Sequence, residues 1–246
     1  MDRMLYVAMT GARQVFLAQA INNHNLANAS TTGFRQDLEA FRSQPVFGEG
    51  LPSRVYAMAE RAAVDTTPGQ LVTTSRELDV AVNGEGWIAV QAPDGSEAYT
   101  RAGDLHISAG GTLTTGAGYP VLGNAGPIAI PPAEKLEIGT DGTISIRPLG
   151  EAASTLAEVD RIRLVKPNAA ALKKGSFGLM QLDNRQTAPP DASVSLVSGT
   201  LENSNVNTAE TLVNMIELAR QFEMQIKMMG TTKENADATN QLLRLE

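Results

Sequence analysis

The C-terminal segment sets the strongest limit on what this chain can become. From Leu212 onward, steps of three and four residues alternate through Leu212, Met215, Ala219, Phe222, Ile226, Met229, Lys233, Ala236, Asn240 and Leu243, and only Lys233 and Asn240 are not apolar. A 3.5-residue period is the seam of a coiled coil. It predicts a helix from about Thr208 to Leu245, roughly 57 Å long at 1.5 Å per residue, which a compact domain has no room to hold. Asn207 or Thr208 is placed to cap its start, with Glu210 in the first turn facing the positive end of the helix dipole.

The N-terminal segment reads as a second amphipathic helix from about Arg3 to Ala27, roughly 38 Å long on the same rise, with Met9, Ala12, Phe16 and Ala20 on one stripe. Gly11 is its weak point, costing about 1 kcal/mol against Ala in a helix interior. Burial of one large apolar side chain contributes roughly 1.5–3 kcal/mol, so an isolated helix leaves most of this potential unused. The partner is the other terminus, a copy of the same chain, or both. Seven of the nine methionines lie in these two segments, where an unbranched, polarizable side chain suits either a core or a seam between unlike neighbours.

Between the helices the chain changes character. All 12 prolines fall from Pro45 to Pro190, and only Gly11, Gly33 and Gly230 lie outside the stretch from Gly48 to Gly199. Within that stretch, Asn83-Gly84, Asp94-Gly95, Asp141-Gly142 and Gly110-Gly111 separate short apolar runs: Leu78 to Val82, Trp87 to Gln91, Leu136 to Ile138, Thr143 to Ile146 and Arg161 to Val165. Asn-Gly and Asp-Gly supply the positive φ that two-residue hairpins demand. The expected fold class is α+β, with terminal helices forming a discontinuous coiled-coil-like domain around a central antiparallel β domain. Residues 36–67 show no clear period and read as an extended connector.

Composition excludes much chemistry. With no cysteine and two histidines, His24 and His106, thiol catalysis, iron–sulfur clusters and thiolate or all-histidine zinc sites are out of reach. A net charge of −7 without a basic cluster argues against nucleic acid. The start, MDRMLYVAMTGARQVFLAQ, lacks the apolar core of a signal peptide, and no window has the roughly 18 apolar residues that would span a bilayer, so no membrane insertion is expected. Gly84-Glu85-Gly86 lacks the third glycine of a dinucleotide fingerprint. Asp104 and His106 would share a strand face, yet no Gly-x-Ser-x-Gly elbow accompanies them. With aromatics at 4%, a ring-lined pocket is a poor expectation, and no cofactor is implied.

One short segment carries a more specific signal. In NLANASTTGFR, Asn25 and Asn28 are suited to ending a helix, Ser30, Thr31 and Thr32 to a turn, and Gly33 to a positive φ before Phe34 docks as an apolar anchor. This stretch, Asn25, Leu26, Ala27 and Asn28 through Thr31, Thr32, Gly33, Phe34 and Arg35, resembles the N-terminal signature of the bacterial flagellar rod and hook proteins. That family usually has a second Asn where this chain has His24. Three further blocks are similar in the same order: LDVAVNGEGWIAV from Leu78, YTRAGDLHISAGGTLTT from Tyr99 with GYPVLG from Gly118, and LENSNVNTAETLVNMIELARQFEMQIK from Leu201. The resemblance spans the chain except the connector and about residues 151–190. The start MDRMLYVAM and the run from Arg220 to Gln225 look more like the proximal-rod subunits than the distal-rod ones.

The resemblance implies a structural, non-enzymatic subunit whose termini (1–35 with 205–246) form an inner helical domain, joined by the connector 36–67 to a β domain over 68–200. It implies export through the flagellar type III apparatus without a cleaved signal peptide, and assembly in the periplasm with copies of itself, other proximal-rod subunits and the distal-rod protein. Met9, Phe16 and the C-terminal apolar series from Leu212 to Leu243 would then be packing residues between subunits. Two other readings stay open: a distal-rod subunit and, from a different class, a secreted hydrolase using Asp104 and His106.

Overall fold

The computed structural model describes residues 3–39, 41–45, 55–59, 63–148, 150, 156–175, 177–182 and 186–242. The chain divides into two compact units, one of Met1–Asn28, Asp37–Asp65 and Val206–Glu246, the other of Ala29–Gln36 and Thr66–Asn205.

The first unit is built on two helices, α1 (Arg3–Ala27) and α2 (Thr208–Leu242). Asn207 caps α2, its Oδ1 accepting from the amides of Ala209 at 3.1 Å and Glu210 at 3.3 Å. Asn28 closes α1 by donating from Nδ2 to the His24 carbonyl at 2.9 Å. The helices pack antiparallel. Asn22 Nδ2 donates to the Thr211 carbonyl at 2.8 Å, and a Cβ on Gly11 would lie 3.1 Å from the Gln225 side chain. The helix-propensity cost of Gly11 is thus the cost of close approach.

The stretch expected as an extended connector is paired instead. Strand β1 (Asp37–Leu38) pairs with β4 (Ala63–Val64), and β2 (Phe41–Pro45) with β3 (Val55–Ala59) in the register Phe41↔Ala59 to Pro45↔Val55. All of β2 is exposed, so no alternation of apolar and polar residues marked it.

The second unit is antiparallel β apart from a single 3-10 turn at Ala169–Ala171 among the described residues. Its strands are β5 (Leu71–Thr73), β6 (Val80–Asn83), β7 (Trp87–Gln91), β8 (Glu97–Thr100), β9 (Leu105–Ile107), β10 (Leu113–Thr115), β11 (Ala133–Ile138), β12 (Thr143–Pro148), β13 (Ala157–Arg161), β14 (Leu164–Val165), β15 (Leu172–Lys174), β16 (Met180–Leu182), β17 (Ser195–Ser198) and β18 (Thr200–Glu202). The largest sheet runs β14-β7-β8-β16-β15, a second β11-β12-β13, and β9-β10, β6-β17 and β5-β18 form two-stranded ladders. The β15-β16 pair lies in the 151–190 stretch that the family resemblance did not cover. Val80, Val82, Ile88, Val90, Leu105, Leu113, Val121, Ile128 and Ile144 fill one continuous core.

Three of the four glycine turns join paired strands: Asp94-Gly95 between β7 and β8, Gly110-Gly111 between β9 and β10, and Asp141-Gly142 between β11 and β12. The Asn83-Gly84 turn does not make the expected hairpin. Strand β6 pairs with β17 while β7 pairs with β8 and β14, so this turn is a corner between sheets. Two positive-φ glycines, Gly84 at 74° and Gly86 at 146°, supply the change of direction.

Candidate functional site

The β unit brings together four segments remote in sequence: residues 29–36, the strand β5 with the stretch before it, the residues that follow β8, and β18. Glu202, at the end of β18, is fully buried, and Arg35 and Arg101 beside it are each 2% exposed. Glu202 Oε1 accepts from Arg35 Nη2 at 2.5 Å and from the Gly69 amide at 2.8 Å, while its Oε2 accepts from Arg101 Nη1 at 3.0 Å. Arg101 Nη2 donates to the Gly84 carbonyl at 2.7 Å. Both guanidinium carbons lie over the Trp87 ring, Arg101 at 5.4 Å and Arg35 at 5.8 Å from its centroid. A carboxylate shared by two guanidiniums meets the requirement that a buried charge be paired, and the indole face offers the cations a second favourable contact. Burial pulls the Arg101 guanidinium below its ordinary pKa, with Glu202 acting in the opposite sense.

Backbone bonds reinforce this clasp. The Gly33 amide donates to the Glu202 carbonyl at 2.7 Å, the Asn203 amide to the Gln70 carbonyl at 2.9 Å, and the Gln36 amide to Asn205 Oδ1 at 2.8 Å. Gly33 sits at φ +66°, and a Cβ there would collide with the backbone of Arg101 and Ala102, so both conformation and space require glycine. Lys174 of β15 lies 4.0 Å from the Phe34 ring centroid and donates to the Arg35 carbonyl at 3.1 Å.

The signature segment is divided between the units. Asn25, Leu26, Ala27 and Asn28 belong to the helical unit, and Thr31, Thr32, Gly33, Phe34 and Arg35 to the β unit. Asn25, 3% exposed, bonds Asp37 reciprocally: Nδ2 to the Asp37 carbonyl and the Asp37 amide to Oδ1, both at 2.9 Å. An amide side chain thereby imitates a backbone strand partner. His24 Nδ1 lies 3.1 Å from Asp37 Oδ2. Leu26, Thr32, Gly33 and Phe34 are half-buried, and Ala27 and Thr31 exposed.

The helical unit divides the expected seam residues into two groups. On α2 a row of buried or half-buried residues runs through Thr211, Met215, Leu218, Phe222, Gln225, Met229, Thr232 and Ala236 at steps of four and three, with Asn214 half-buried beside it. Four of these, Met215, Phe222, Met229 and Ala236, are in the expected series. The alternate slots sit one residue earlier than expected, leaving Leu212, Ala219 and Ile226 exposed. On α1, Ala8, Ala12 and Ala18 are buried, whereas Met9, Phe16 and Ala20 are exposed. Leu243 lies outside the described residues.

The pair tested for catalysis lies elsewhere. Asp104 bridges to Asp79, and the exposed His106 ring has Nδ1 2.6 Å from Arg76 Nη2. Among the described residues no group of three or more His, Asp or Glu side chains is placed to hold a metal ion. Reading single residues for chemistry passed over Arg101, Glu202 and Trp87. The available signal was that each stood, with Arg35, in a different one of the segments that carried the family resemblance.

Comparison with known proteins follows the same segments. The family description "Flagellar hook protein FlgE/F/G D1 domain" matches residues 81–146, which contain Trp87 and Arg101. "Flagellar basal body rod FlgEFG protein C-terminal" matches residues 197–242, which contain Glu202 and all of α2. A flagellar basal-body rod protein FlgF from Escherichia coli K12 is 44% identical over 251 aligned residues, covering 100% of both chains. The chain belongs to the flagellar basal-body rod FlgF family. A FlgF from Salmonella typhimurium LT2 is 43% identical over the full length of both chains. A FlgG of Buchnera aphidicola subsp. Schizaphis graminum is 30% identical, with 97% of this chain and 98% of that one aligned. The FlgF family is one of structural rod components, not of enzymes, and as a member of it the chain is a structural subunit of the flagellar basal body.

Proposed function

We propose that the chain occupies the proximal part of the rod, where it packs against copies of itself, other proximal-rod subunits and the distal-rod protein FlgG. In this reading the helical unit forms the inner wall of a tube that conducts exported subunits, and the β unit stands outside it. The chain reaches the periplasm unfolded through the flagellar type III apparatus, without a cleaved signal peptide, and it catalyses nothing. Its mechanism is stiffness under torque. Within the β unit, the Arg35–Glu202–Arg101 clasp resists separation of the segment that follows α1 from the segment that precedes α2.

The observation that carries this reading is the exposure of large apolar side chains along both helices: Met9 (54%), Phe16 (61%), Leu212 (49%), Ile216 (55%) and Ile226 (47%). Such rows mark surfaces that a neighbouring molecule covers. Covering one large side chain contributes roughly 1.5–3 kcal/mol, so a few per helix suffice to drive ordered packing. The double variant Ile216→Asp with Ile226→Asp tests it, since neither residue belongs to the row buried within the chain. Swimming should be lost and the chain should be missing from isolated basal bodies, while Trp87 fluorescence still reports a folded β unit. Normal swimming would remove the support for a packing role of these rows.

A further inference from the structure

The exposed residues on the two helices form ordered rows. On α1 the row is Met9, Arg13, Phe16 and Ala20, at steps of four, three and four; on α2 it is Leu212, Ile216, Ala219, Glu223 and Ile226, at steps of four, three, four and three. All nine residues are exposed. Each row keeps the coiled-coil period, so each helix presents a second seam besides the one it uses within the chain.

Resting on the reading above, in which copies of the chain pack together, we propose that the outer row of α1 docks antiparallel on the outer row of α2 of a second copy. The layers are Met9 with Ile226, Arg13 with Glu223, Phe16 with Ala219, and Ala20 with Ile216. This register follows the one inside the chain, where Gly11 faces Gln225 and Asn22 faces Thr211. Two of the layers are complementary in size, with Phe16 against Ala219 and Ile216 against Ala20, while Met9 and Ile226 join two large apolar side chains. The rows are also complementary in charge, because the only cation of one row meets the only anion of the other.

Alternative pairings of the same rows are worse. Two α1 rows set two Arg13 side chains in one seam, and two antiparallel α2 rows place Glu223 against Ile216 with no cation to meet it. The α1-to-α2 contact is therefore heterologous, joining different surfaces of the two copies. A contact of that kind continues along an open array instead of closing on itself as an isologous pair does.

The absence of native cysteine makes cross-linking a clean test. A Phe16→Cys chain and an Ala219→Cys chain are expressed together in cells lacking the native copy, oxidised, and analysed in isolated basal bodies. A disulfide between the two chains should form readily. The pair Met9→Cys with Ala219→Cys is displaced by about 10 Å along the helix axis and should give little product. Equal yields from both pairs, or none from the first while both chains are present in basal bodies, would overturn the register but leave the rod assignment standing. Chains absent from the basal bodies would overturn both if unsubstituted chain is absent too. If only the cysteine chains are absent, charge reversal decides. Arg13→Glu and Glu223→Arg should each weaken swimming and the double reversal should restore it; failure of that restoration overturns the pairing.

Discussion

Replacing Glu202 by Gln gives the most direct test of the clasp. The substitution keeps the shape of the side chain and removes its charge, leaving the two guanidiniums of Arg35 and Arg101, each 2% exposed, without an anion between them. One carboxamide oxygen still accepts from Gly69 or from one arginine, but the new NH2 group faces a donor. Removing one partner of a buried ion pair costs about 3–5 kcal/mol, because the remaining charge stays desolvated. Two such charges are left here, which places the expected loss at the upper end of that range. The chain's single tryptophan is the reporter, since Trp87 forms the wall of the cluster. Urea unfolding followed by Trp87 fluorescence should show the midpoint falling by about 2–3 M, for a urea dependence near 1.5–2 kcal/mol per molar. Glu137→Gln is the matched control: its pair with Lys135 spans 2.6 Å between side chains 45% and 44% exposed, so the change there should stay within about 1 kcal/mol. A Glu202→Gln loss no larger than the control would show that the buried charges do not hold these segments together.

Three further outcomes follow from local geometry. Gly33→Ala forces a side chain into a positive-φ site already filled by the backbone of Arg101 and Ala102, and should cost at least about 1–2 kcal/mol in thermal unfolding of the β unit. Burial, with Glu97 nearby, pushes Tyr99 up to about 12. The unfolded phenol ionises near pH 10, so the β unit keeps its full stability below that pH and loses up to about 3 kcal/mol as pH rises through 12; denaturant midpoints across this window should show the fall, and Tyr99→Phe should flatten it. At Gly230, exposed within α2, a Cβ would meet nothing within 4 Å, so Gly230→Ala should stabilise the helix by up to about 1 kcal/mol, seen as a higher melting temperature of the circular dichroism signal at 222 nm.

The segregation of prolines and glycines marked the helices and the β centre because breakers act locally. Strand β7 ends where its apolar run ends, and Asn207 caps α2 because a side-chain acceptor next to unpaired amides is a local event as well. What sequence could not supply was pairing at a distance. The Asn83-Gly84 turn has hairpin chemistry, but whether β6 pairs with β7 or with β17 depends on a segment more than a hundred residues on. The clasp was hidden for the same reason. Arg35, Arg101 and Glu202 look like ordinary surface charges until three separate segments meet.

The displaced seam of α2 has a more instructive cause. Choosing the row by hydrophobicity selects Leu212, Ala219 and Ile226 over Thr211, Leu218 and Gln225, yet the chain's own α1 covers the second row. The facing side of α1 is lined by small residues, Ala8, Gly11, Ala12 and Ala18, with Asn22 and Asn25 at its end. Within one chain a face of small and polar side chains on α1 therefore meets a mixed row on α2, in which Met215, Leu218, Phe222 and Met229 are only half-buried, while Met9, Phe16, Leu212, Ile216 and Ile226 face outward. Ordering a residue's backbone costs about 1–2 kcal/mol, and contacts that leave the large α2 side chains half-exposed against a small-residue face offset only part of it. The helices of an isolated chain should accordingly open far more often than the β core. Limited proteolysis of monomeric protein should remove α1 and α2 first and leave a core from near residue 66 to near residue 205, with the clasped segment 29–36 retained on it. In assembled rods the same bonds should resist cleavage, because the outer rows are then covered. Helices as resistant as the core in a strictly monomeric sample would mean that the inner seam suffices alone, and the link between folding and assembly would fail.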